Sequence, residues 1–107
     1  MATQGSALDK LQMLETLYRR GYQSDVIDRA LDKLIALERE RVQGELAELQ
    51  ARLRTFEAKY GMSSVDFQRR IHEGELGDRS DFFEWSAFYA MYQSAYQRLQ
   101  ELDAVPA

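Results

Sequence analysis

The chain has 107 residues, with 14 Lys+Arg against 18 Asp+Glu and a formal net charge of −4. Hydrophobic residues at 45% and charged residues at 30% fit an ordinary globular chain of one domain, or of two small helical lobes. The acidic balance argues against a general nucleic-acid binder, and the absence of cysteine excludes disulfides and thiolate metal sites. No apolar run nears the ~20 residues of a membrane span, and the start of the chain has no signal-peptide hydrophobic region, so the expected location is the cytoplasm.

Punctuation predicts an all-α fold. The single proline is Pro106, and Val, Ile and Thr are too scarce and too scattered for strands. Gly21, Gly61 and Gly74 each follow an amphipathic stretch and precede a Ser or Asp suited to open the next helix. The reading is a single helical domain over 1–107: an N-terminal helix within 1–22, a long central helix within 24–60, and a short helix plus an aromatic helix within 63–102. The ends, MATQG and DAVPA, read as frayed.

The first helix runs from about Ala7 to Arg20, with Leu8, Leu11, Leu14, Leu17 and Tyr18 on one side. The second starts after Ser24 and continues to Lys59 or Tyr60, about 54 Å at 1.5 Å per residue. From Ile35 onward its apolar residues Val42, Leu46, Leu49, Leu53, Phe56 and Tyr60 recur at spacings of four and three, a seam narrow enough for one antiparallel partner or a coiled coil. Before it, Val26, Ile27, Ala30, Leu31, Leu34, Ile35 and Leu37 cover more than half the circumference, a face that wants two neighbours. Two arrangements follow. In one, the outer helices fold back on the central one as an elongated helical hairpin, whose thin interior is completed by a second copy in a homodimer. In the other, a break near residues 38–44 makes a compact monomeric bundle.

The third helix is capped by Ser63, carries Asp66 at its third position and ends near Glu73. The fourth follows Asp81, which reads as its N-cap with Glu84 three residues on, and runs to about Leu102. Seven of the twelve aromatics fall between Phe82 and Tyr96. Trp85, Phe88, Tyr92, Tyr96 and Leu99 form one helical stripe, suited to pack on Leu46, Leu49, Leu53 and Phe56. A sharper reading makes part of it, with Phe83, Tyr89 and Tyr92, a protein-binding surface, because Tyr and Trp join large apolar area to a polar tip.

Residues 73–84 hold five acids and one base, and so carry a net charge of −4, equal to that of the whole chain. His72 with Glu73, Glu75, Asp78, Asp81 and Glu84 could in principle ligate a metal. A helical di-iron site, however, needs Glu-x-x-His on two helices, and position 69 is Arg69; the acids do not take EF-hand spacing either. Gly61-Met62-Ser63-Ser64-Val65 lacks the second glycine of a nucleophile elbow, and no phosphate loop or dinucleotide fingerprint occurs. The expectation is no enzyme, no metal and no cofactor. Helix, Arg19-Arg20-Gly21 turn and helix also have the outline of a helix-turn-helix, with Arg19, Arg20 and Arg29 as candidate DNA contacts, but Asp25 and Asp28 at the head of its second helix repel phosphate.

The run from Phe56 to Phe67 (FEAKYGMSSVDF), followed by Gly74-Glu75-Leu76-Gly77-Asp78 and Asp81-Phe82-Phe83-Glu84-Trp85, resembles a group of small bacterial and archaeal helical proteins that look like antitoxins. Such proteins are typically encoded beside a small toxin-like partner. The likeness covers about residues 25–102, is sharpest over 56–85, and leaves out the first helix. It implies a regulatory binding role and transfers no catalytic residue. On that reading Glu75, Asp78, Asp81 and Glu84 supply charge towards a basic partner, and Trp85, Tyr89 and Tyr92 anchor it. A homodimeric scaffold and a dimeric DNA-binding autoregulator are the alternatives.

Overall fold

A computed structural model describes residues 5–104, so Pro106 and most of the two tails read as frayed lie outside the described residues. Four helices follow in order: α1 (Ala7–Arg19), α2 (Asp25–Tyr60), α3 (Ser64–His72) and α4 (Ser80–Asp103). No strand occurs among the described residues. The class and the helix order are those expected, and α2 is the long central helix. Gly21, Gly61 and Gly74 all take positive φ, which lets each reverse the chain after a helix without a Cβ penalty. The chain divides into two compact units at the Leu34–Ile35 boundary within α2.

In the N-terminal unit Ser6 caps α1 through a reciprocal pair of bonds with Asp9, both 3.2 Å. Ser24 accepts from the Ile27 amide at 3.3 Å and opens α2. The Tyr18 hydroxyl lies 2.6 Å from Asp28 Oδ1 and 3.1 Å from the Ser24 carbonyl, pinning the end of α1 to the first turns of α2. Packing adds little to this. No described residue before Val42 is buried, and Val26 and Leu34 stay 78% and 60% exposed. The wide apolar face of early α2 therefore meets one neighbour of the two it wants.

The C-terminal unit holds both cores. Arg39–Asp103, Gln50–Tyr92 and Lys59–Asp81 side-chain bonds run α4 antiparallel to the second part of α2. Val42, Leu46 and Leu49 bury against Ala95, with Phe88, Tyr92, Leu99 and Leu102 around them. Leu53 buries with Phe82 and Trp85 of α4 and Phe67 of α3. The seam read from Val42 to Tyr60 is thus the packing face, and α4 is its antiparallel partner.

Residues 38–44 are continuous helix, as the long-helix reading expected and the alternative of a break did not: Arg41 pairs with Glu38 at 2.7 Å and reaches Glu45 at 3.7 Å, so the polar stretch is braced. Two expectations change. Helix α4 begins at Ser80, with Arg79 as its N-cap and no side-chain cap bond. Asp81 is its second residue, because Lys59 and Tyr60 hold the carboxylate that was expected to cap it. Finally, Asp103 belongs to α4 rather than to a frayed tail, held by Arg39 Nε at 2.6 Å while Arg39 Nη2 donates to the Leu102 carbonyl at 3.1 Å.

Candidate functional site

The distinctive local chemistry lies where α2, α3 and α4 meet. Trp85 is completely buried and stacks on Phe67, with ring centroids 3.9 Å apart and planes 5° from parallel. Phe56 and Tyr60 stack on it at 5.7 and 5.8 Å. A buried indole N–H needs an acceptor, and Ser64 Oγ supplies one at 2.9 Å. Ser64 donates in turn, from its hydroxyl at 2.8 Å and its amide at 2.9 Å, to the same Glu57 oxygen. This Glu57–Ser64–Trp85 relay ties three helices together. Sequence reasoning placed Trp85 on the packing stripe but missed Ser64 and Phe67. The available signal was a serine directly after the cap of α3, one turn before Phe67, in a chain whose only tryptophan must find a partner.

The residues expected to form one partner surface are distributed instead over separate places. Trp85 is core and presents nothing to a partner. Asp81 accepts from Lys59 Nζ at 2.7 Å and from the Tyr60 hydroxyl at 2.6 Å, and these bonds hold its carboxyl below the usual range. Glu75 shares a hydrogen bond with Glu73, which pushes its carboxyl up, while Arg69 lies 2.9 Å from Glu73 and 3.9 Å from Glu75. Asp78 and Glu84 are exposed and form no ion pair among the described residues. Glu84 borders a small groove with Arg52 and Phe88, where the guanidinium sits 5.0 Å from the ring centroid. Tyr89 and Tyr92 are half-buried along a different groove of about 290 Å³, beside Glu57, Ser64 and Val65.

A further concavity lies elsewhere. An open groove of about 470 Å³ lies between the end of α3, the loop before α4 and the first turns of α4. Ile71, Leu76, Phe82 and Phe83 make its apolar walls, and Asp78 stands at its edge. Phe83 is 69% exposed, an unusual state for a phenyl ring at the rim of a packed core. Leu76 and Phe82 connect the groove floor to the Trp85 core, so its shape rests on the rigid part of the unit. Phe83 lies off the main stripe because α4 turns it away from α2 while Phe82 and Trp85 turn in.

The other candidate groups stay apart from this groove. His72 Nε2 lies 3.0 Å from Gln68 Nε2, and no cluster of three metal-ligating side chains occurs among the described residues. In the N-terminal unit Arg19 pairs with Glu15 at 3.0 Å, while Arg20 and Arg29 are exposed. No family model, curated protein or solved structure matches the chain.

Proposed function

We infer that this chain is a non-enzymatic protein-binding module, an antitoxin-like regulator that binds and blocks a small basic toxin-like protein. The observation that carries this reading is the groove beside Phe83: an exposed phenyl ring over half-buried apolar walls on a firm core, with Asp78 at the edge in no ion pair among the described residues. Aromatic anchors in a preformed pocket supply most of the affinity at such surfaces, and the Asp78 carboxylate at its edge favours a basic partner. The segment that builds the groove is also the part of the chain whose resemblance to antitoxin-like proteins is sharpest. The surface is revised accordingly: Phe83 and Leu76 replace Trp85, Tyr89 and Tyr92 as anchors, and of the four acids Asp78 alone lines the groove.

Co-expression with any small basic protein encoded beside it, followed by affinity purification, tests the reading. The wild-type chain retains the partner and suppresses its activity, and Phe83→Glu releases it while leaving Trp85 fluorescence unchanged. Failure of the wild-type chain to retain or inhibit that neighbour refutes the assignment. Equal retention by Phe83→Glu moves the surface away from this groove.

A further inference from the structure

We propose that α1 is a strap closed by one latch, the Tyr18 hydroxyl on Asp28 and the Ser24 carbonyl, and that it opens and melts while the C-terminal unit stays folded. Opening uncovers Leu14 and Leu31, so a single hydroxyl controls access to the face of α2 beneath the strap. This inference stands apart from the partner-binding reading and uses none of its residues.

Helix α1 has 13 residues, and none of them is buried. Leu14, Leu17 and Tyr18 are its half-buried side chains, and Leu14 and Tyr18 share a shallow groove with Leu31 of α2. Burial of that extent contributes little of the apolar stabilisation that holds a helix in place. The other side-chain bonds of α1 are internal: Ser6 with Asp9, Thr16 to the Gln12 carbonyl, and Arg19 with Glu15. They brace the helix and give it no hold on α2. Among the described residues, the Tyr18 hydroxyl makes the only side-chain hydrogen bonds from α1 to α2 and its cap, at 2.6 Å to Asp28 Oδ1 and 3.1 Å to the Ser24 carbonyl. The Tyr22 ring, edge-on at 6.3 Å, props Tyr18 from the turn.

Release has both a path and a consequence. Gly21 turns the chain at φ 95 between the two helices, and a glycine there swings without a Cβ penalty. A freed helix of 13 residues falls within the ~12–15 below which isolated helices are marginal in water, so α1 melts once unlatched. The C-terminal unit loses nothing in this step, because every buried residue among those described lies between Val42 and Ala95. Elements with few buried contacts open locally, well below the free energy of global unfolding. Tyr18 and Asp28 therefore set the fraction of molecules in which the strap is closed.

Hydrogen–deuterium exchange of the intact chain, read by mass spectrometry as protection factors, tests this. In the wild type, residues 7–19 are protected, but at least ~10-fold less than residues 42–60. Tyr18→Phe lowers protection in α1 by about three- to tenfold, the loss expected for a hydrogen bond, and leaves residues 42–60 and α4 unchanged. Asp28→Ala also lowers it, and the double variant falls no further than Tyr18→Phe, because both act on the same latch. Protection of residues 7–19 equal to that of 42–60 overturns the proposal, as does a wild-type α1 with no protection at all. Unchanged α1 exchange in Tyr18→Phe overturns it too, and so do an equal loss along the whole chain or additive losses in the double variant.

Discussion

Ser64 shows how much one small side chain decides in this protein. It is 4% exposed, accepts from the Trp85 indole and donates twice to Glu57, so it satisfies a buried donor on α4 and a carboxylate on α2 at once. Replacing it with alanine leaves the indole N–H buried without an acceptor, which costs about 1–3 kcal/mol. Urea unfolding followed by Trp85 emission should show the midpoint fall by a corresponding amount for Ser64→Ala, with the helical content of the folded state unchanged. An unaltered midpoint would mean that water reaches the indole and the relay is dispensable. Neighbouring Ser63 illustrates the opposite case: it is exposed, and its role as cap of α3, accepting from the Asp66 amide at 3.0 Å, is purely local. The local role was legible in the sequence. The role of Ser64 was not, because its partners lie 7 and 21 residues away.

At the scale of elements, the end of α2 is fastened to the start of α4 by Lys59 and Tyr60 on Asp81. The bonds from Lys59 and then Tyr60 lower the Asp81 carboxyl, and the same pair raises Lys59. A carboxylate whose pKa is lower folded than unfolded stabilises the fold above its unfolded value, ~3.9 for aspartate, and the contribution disappears as pH falls through the folded value. The fastening is therefore complete at neutral pH and fails in acid. Asp81→Asn should lower the melting temperature at pH 7 and narrow its gap to wild type as pH falls below about 4. A gap that stays constant with pH would remove the ion pair as its cause. Position along a helix was read to within a residue at most ends, since caps and glycines act locally. The start of α4 escaped that reading: Asp81 had the residue type of a cap, but its tertiary bonds engage it elsewhere, and the helix opens without a side-chain cap.

For the whole molecule, burial and charge are partitioned along the chain. Every buried residue among those described lies between Val42 and Ala95, and the net charge of −4 falls entirely after residue 34. Removing residues 1–24 should thus leave the C-terminal unit folded: the near-ultraviolet signal of the stacked Trp85 and its unfolding midpoint in urea stay close to those of the full chain. Loss of the Trp85 signal on that truncation would show that the core depends on the N-terminal unit.

The sequence by itself determined the all-α class, the four helices and their order, the apolar seam from Val42 to Tyr60 and the local concentration of acid between 73 and 84. Each of these follows from interactions within a few residues or from a periodicity that any apolar neighbour can satisfy. Only the tertiary structure decided which aromatics were core and which were surface. Phe82, Phe83 and Trp85 are near neighbours of similar chemistry, yet the turn of α4 buries two of them and leaves Phe83 out. It also decided which acids were engaged, since Lys59 and Tyr60 of another helix reach Asp81, whereas Asp78 forms no ion pair among the described residues. Those choices depend on where distant helices place their side chains, and a one-dimensional pattern carries no record of that.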